Sequence, residues 1–201
     1  MGRYIGPKTK ISRRFGEAIY GPDKSLERRP NPPGVHGAKR RRKISDYGMQ
    51  LREKQKAKYI YGMREAQFHK FYEHARSKKG NTGDILLQMC ESRLDNIVYR
   101  LGLAPTRPAA RQLVSHRHIE LDGKVVNIPS AQVKPGQKVG VRERDRNMKV
   151  VVETLMHPTG GAYDWLAFDE ASQTGTYLHQ PEPAEVPEAI DVQSIVELYS
   201  R

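Results

Sequence analysis

Arg107, Arg111 and Ser115 recur at four-residue intervals in RPAARQLVSHRHIELDGKVVN, residues 107–127, with Gln112, His116 and Arg117 close by. At about 3.6 residues per helical turn, this spacing stacks two guanidiniums and a hydroxyl on one face while Leu113 and Val114 point elsewhere. Guanidinium forks match phosphate oxygens, and His116 and Arg117 fall at a helix–strand junction where a neighbouring backbone can be touched. The set reads either as a solvated basic face or as a rigid ledge for a polyanion. A ledge of that composition favours structured RNA, recognised by shape and by its 2′-hydroxyls.

Catalytic chemistry finds no support in the residue order. The chain has no G-x-S-x-G, no P-loop and no G-x-G-x-x-G. GVHGAK at 34–39 has the glycines and lysine of a phosphate loop at the wrong spacing. His116 and His118 lack a third ligand, and structural zinc takes four, so no metal and no cofactor are expected. Glu143, Asp145 and Glu153 stand among basic residues as ion-pair partners. Cys90, the single cysteine, lies in the apolar run ILLQMC and reads as a small buried hydrophobe in a reducing compartment.

Charge is distributed unevenly. The 201 residues carry a net +12, yet residues 1–80 hold 22 Lys and Arg against 7 Asp and Glu, while residues 156–201 hold 1 against 8. A solubilising surface would not need that concentration. A phosphate-rich partner bound through the N-terminal part accounts for it, with anionic membrane as the lesser alternative. No stretch approaches a membrane span or a secretory signal, so the chain reads as cytosolic.

The elements that position these residues follow from periodicity. Residues 1–45, rich in proline and glycine and carrying KRRRK at 39–43, predict an extended basic arm ordered by a partner. Residues 46–90 predict a helical domain. Its first helix is polar almost all round and breaks near Gly62, and the next carries the stripe Phe68, Phe71, Tyr72 and Ala75. Residues 91–155 predict a module of helices and an antiparallel sheet, the sheet continuing to about residue 180. Ser92 with Asp95 suggests a capping box, Leu94, Ile97, Val98 and Leu101 an apolar helical stripe, and Thr106 a cap before Pro108. Asp122-Gly123 predicts a hairpin turn, KPGQKVGV a further strand, and NMKVVVE at 147–153 another. Residues 181–190 read as an acidic, proline-rich linker. Asp191 caps a last amphipathic helix over 191–201, which completes the helical domain. The fold class is α+β, a mainly helical domain with an inserted RNA-binding module.

Several motifs, taken in order, carry a family resemblance. MGRYIGPKTKISRR, PPGVHG, SDYGMQLREKQKAK, YGMREAQF, KGNTGD, SRLDNIVYRLGLAPTRPAARQLVSHRHIELDGKVVNIPS and IVELYSR together resemble bacterial-type ribosomal protein four of the small subunit. The resemblance covers essentially the whole chain. It implies direct binding of 16S-type rRNA at a helix junction of its 5′ domain and nucleation of the small-subunit body. It also implies an influence on decoding accuracy with small-subunit proteins five and twelve, and a place at the mRNA entry channel. Implied rRNA contacts in the module are Arg107, Arg111, Gln112, Ser115, His116 and Arg117. In the arm they are Arg3, Tyr4, Lys8, Lys10, Arg13 and Arg14, and in the following helix Arg52, Lys54, Lys56 and Lys58. Lys39, Arg40, Arg41, Arg42 and Lys43 match the mRNA-side basic stretch. Three departures stand out: TKIS at 9–12 has no cysteine for the zinc site of some relatives, Val35 replaces a glutamine, and TYLHQP at 176–181 lacks basic residues. A translational repressor binding its own mRNA, and an RNA-modifying enzyme carrying the same module, are the competing functions. The second would need a catalytic domain for which residues 1–90 and 156–201 leave no room.

Overall fold

The computed structural model describes residues 4–39, 43–156, 161 and 163–201. These divide into two compact units: one runs to Gly83 and resumes from Ala189 to Arg201, the other spans Asp84–Glu188.

In the first unit the N-terminal segment departs from the irregular arm expected of it. α1 (Lys8–Phe15) is a two-turn helix, and α2 (Lys24–Arg28) a single turn capped by the Asp23 carboxylate. The buried apolar side chains of α1 are Ile11 and Phe15, one turn apart, a stripe too short to stand out from the surrounding charge. Gly16, at φ 70°, ends α1 in the left-handed conformation that glycine adopts without strain. Ser45 caps α3 (Asp46–Ile60), and α4 (Glu65–Arg76) buries Phe68, Tyr72 and Ala75. The last helix, α9 (Val192–Tyr199), begins at the Asp191 cap and lies along α3, where Gln50 donates to Glu197 at 2.9 Å. With Ile195 of α9 buried, this packing gives α3, polar almost all round, the outside support that such a helix needs.

The second unit is built around α5 (Thr82–Glu91), α6 (Leu94–Arg100), α7 (Arg107–Ser115) and a five-stranded antiparallel sheet. Its strands are β1 (Ile119–Leu121), β2 (Lys124–Val125), β3 (Lys138–Val141), β4 (Leu166–Asp169) and β5 (Thr174–Tyr177), in the order β2-β1-β3-β5-β4. Asp122 and Gly123, at φ 50° and 74°, make the two-residue turn that the sequence marks. Leu94, Ile97, Val98, Val114, Ile119, Val139, Trp165 and Tyr177 share one core. Gly175 on β5 makes room for Leu101, whose side chain a Cβ there would overlap.

The structure corrects two further expectations. Residues 149–156 form a helix, α8 (Lys149–Met156), not a strand; Val151 and Thr154 are buried three apart, so the valine run answers to a helical period. Ser92 does not cap α6. Its hydroxyl donates to the Gln88 carbonyl at 2.6 Å and meets the Tyr177 hydroxyl at 2.9 Å, and the first N–H groups of α6 reach the carbonyls of Ala131 and Pro129. The proline-rich segment at 181–190, within which the second unit gives way to the first, carries a 3-10 turn at Pro183–Glu185, buried Val186 and Glu188, which enters an arginine cluster.

Candidate nucleic-acid interface

α7 is positioned by its own sequence. The Thr106 hydroxyl accepts from the Ala109 N–H at 3.3 Å, Pro108 sits in the first turn, and Ala110, Leu113 and Val114 pack inward. Gln112, Ser115, His116 and Arg117 are exposed at its C-terminal end. There the helix closes in a Schellman motif, with the His118 N–H on the Leu113 carbonyl at 3.1 Å and the Arg117 N–H on the Val114 carbonyl at 3.0 Å. The residue that must turn left-handed is Arg117, at φ 66°. Glycine ordinarily fills that place, since a side chain there costs about 1–2 kcal/mol. Strain of this kind concentrates at functional sites, and here it falls on a solvent-facing arginine.

Arg107 and Arg111 are placed otherwise than a bare ledge would have them. Arg111 bonds Asp95 at 2.8 Å, and Asp95 also takes a bidentate pair from Arg93 at 3.0 and 2.7 Å. Arg107 donates to Asn96 at 2.8 Å and to Glu188. Arg100 also bonds Glu188, and it grips Glu91 at 2.9 and 2.8 Å. Four guanidiniums thus meet three carboxylates. Removing one partner of such a buried network costs several kcal/mol, about 3–5, so its first effect is to lock α7 onto α6.

The sequence reading missed the loop after β3. Arg142, Arg144 and Arg146 alternate there with Glu143 and Asp145, and the fold brings this loop to the end of α7. The Arg142 N–H donates to the His118 carbonyl at 2.9 Å, and His118 Nδ1 meets the Asp145 carboxylate at 2.9 Å. The hydrogen bond from His118 holds the Asp145 carboxyl below the usual carboxylate range. Arg144 comes no closer than 3.6 Å to that carboxylate and its side chain remains 67% exposed. Alternating signs offer no local reason to separate these arginines from ordinary ion pairs.

In the first unit, Tyr4, Lys8, Lys10 and Arg14 are exposed, as are Lys39 and Lys43. Arg13 instead donates to the carbonyls of Arg29 and Asn31 at 3.0 and 2.9 Å, and Arg52 to that of Phe15. Lys54 and Lys56 are buried against Glu65 and Glu17, both at 2.6 Å, and Lys58 meets Glu65 at 3.3 Å. Lys54 and Lys56 are therefore held in ion pairs and not presented as free cations. Arg3, Arg40, Arg41 and Arg42 lie outside the described residues. Among the described residues, no cluster of three or more His, Cys, Asp or Glu is placed to hold a metal ion, and no helix is long and apolar enough to cross a membrane. Burial pushes the Cys90 thiol up to about 12, which leaves it a poor nucleophile.

Residues 3–91 match the ribosomal protein S4/S9 N-terminal domain, and residues 92–139 match the S4 domain. Proteins named small ribosomal subunit protein uS4 are 58% identical in Parabacteroides distasonis and Bacteroides fragilis and 54% identical in Christiangramia forsetii, each over the full length of both chains. The chain belongs to the uS4 family. Its S4 domain match takes in α6, α7 and the β1–β2 hairpin and ends within β3. Arg144 and Glu188 therefore lie beyond the segment that defines the domain.

Proposed function

We propose that this uS4-family chain is a structural, non-catalytic constituent of the small ribosomal subunit that binds its 16S-type rRNA. The observation that carries the reading is Arg117, exposed and left-handed at the end of α7, beside Gln112, Ser115 and His116. Charged and hydroxyl groups on a rigid corner suit phosphates and 2′-hydroxyls of folded RNA. Exposed Lys8, Lys10 and Arg14 on α1 add a second basic surface. The finer assignments rest on the family: binding at the 5′-domain junction, nucleation of the subunit body, an effect on decoding accuracy with proteins five and twelve, and an mRNA-side role for Lys39 and Lys43. A cytoplasmic location goes with this reading.

The test is binding of the full chain to deproteinised small-subunit rRNA across a salt series, with chemical footprinting of the bound RNA. Affinity should fall steeply with salt, each phosphate contact adding a log–log slope of about 0.7–0.9, a range taken from DNA. An affinity indifferent to salt, or no protected nucleotides, refutes the proposal.

A further inference from the structure

Glu188 places a carboxylate between two guanidiniums, bonding Arg100 through Oε2 and Arg107 through Oε1. Both arginines are held before any ligand arrives. The Arg107 guanidinium lies 4.6 Å from the Tyr99 ring centre and its Nε donates to Asn96, while Glu91 also accepts from Nε and Nη2 of Arg100. Arg107 and Glu188 keep 15% and 17% side-chain exposure, so the pair lies at the rim of the cluster. Two converging guanidiniums are also how a phosphate is bound. In the segment carrying Glu188, Pro181 and Val186 are buried, whereas Pro187 and Ala189 on either side of the glutamate are exposed.

We propose that Arg100 and Arg107 form an anion site for an RNA backbone phosphate, and that Glu188 is its internal occupant, displaced when RNA binds. The inference rests on the RNA-binding reading above and adds a competitor to it. While Glu188 is in place, Arg107 contributes little to the attraction of RNA. Glu188→Gln keeps the shape but removes the competing charge.

The experiment is a double-mutant cycle in the full chain, with Glu188→Gln and Arg107→Ala, measured by filter binding to deproteinised small-subunit rRNA over a KCl series. Glu188→Gln should raise affinity on the order of tenfold, the size of one charge-assisted contact, and steepen the salt slope by about 0.7–0.9. Arg107→Ala should cost far more in the Glu188→Gln background than in the parent. Glu170→Gln, at an exposed acid on the β4–β5 turn, reports the general effect of losing one negative charge. Equal effects of Glu188→Gln and Glu170→Gln, or no coupling in the cycle, overturn the inference while leaving RNA binding intact. A parent chain that ignores rRNA overturns the RNA reading itself. If Glu188→Gln loses cooperative melting, Glu188→Asp takes its place: still charged but too short to bridge both guanidiniums, it should raise affinity by a smaller factor, and no rise overturns the inference.

Discussion

Replacing Arg117 with glycine separates the two roles of this residue. At φ 66° the arginine carries left-handed strain of about 1–2 kcal/mol. Glycine relieves it but gains freedom in the unfolded chain, which takes back about 0.4–1 kcal/mol. The net change is a stabilisation of up to about 1.6 kcal/mol, roughly 0.8 at the middle of both ranges. In a domain of 60–100 residues, 1 kcal/mol moves the melting midpoint by roughly 4–8 °C. Asp84–Glu188 is of that order, so Arg117→Gly should raise its midpoint by a few degrees. Binding should move the other way, with the rRNA salt slope falling by about 0.7–0.9. Arg117→Lys keeps both charge and strain and should change stability little. Calorimetry and filter binding on the three proteins decide the matter. A less stable Arg117→Gly refutes the helix-closing argument, and unchanged affinity and slope remove Arg117 from the RNA contacts.

Two further predictions concern the second unit. Gly175→Ala should cost about 1–3 kcal/mol in a denaturant titration, because the added methyl meets Leu101 in a filled core; a neutral result would mean that β5 can shift away from α6. Burial pushes the Glu188 carboxyl up, but the guanidiniums of Arg107 and Arg100 outweigh that and hold it below the ordinary glutamate range. A carboxyl depressed in the folded state contributes stability above its unfolded value of about 4.3 and loses it as pH falls through the folded value. The gap in melting temperature between parent and Glu188→Gln should therefore narrow in acid, and a constant gap from pH 7 to pH 3 refutes the assignment.

Local signals were legible wherever a few adjacent residues decide the outcome. Thr106 and Pro108 start α7, Asp122-Gly123 turns the hairpin, and the stripe Leu94, Ile97, Val98 and Leu101 buries as its period requires. Where the signal was short or mixed, the reading failed. Ile11 and Phe15 were too few to announce α1, and the valines at 150–152 suit a strand or a helix equally until the core is known. Ser92 had a cap's spacing but found Tyr177, 85 residues away, as a partner.

From residue order alone came the α+β class and the polycationic character, because periodicity, turn chemistry and charge are properties of neighbouring residues; the family came from the resemblance of motifs along the chain. Only the tertiary structure decided which cations face outward. Lys54 and Lys56 turn to Glu65 and Glu17, Arg111 to Asp95, and Arg107 to Glu188, whereas Arg117 and Arg144 stay at the surface. A charge is available to a partner only after the fold has placed every opposing charge, and those pairings span distances that no local pattern encodes.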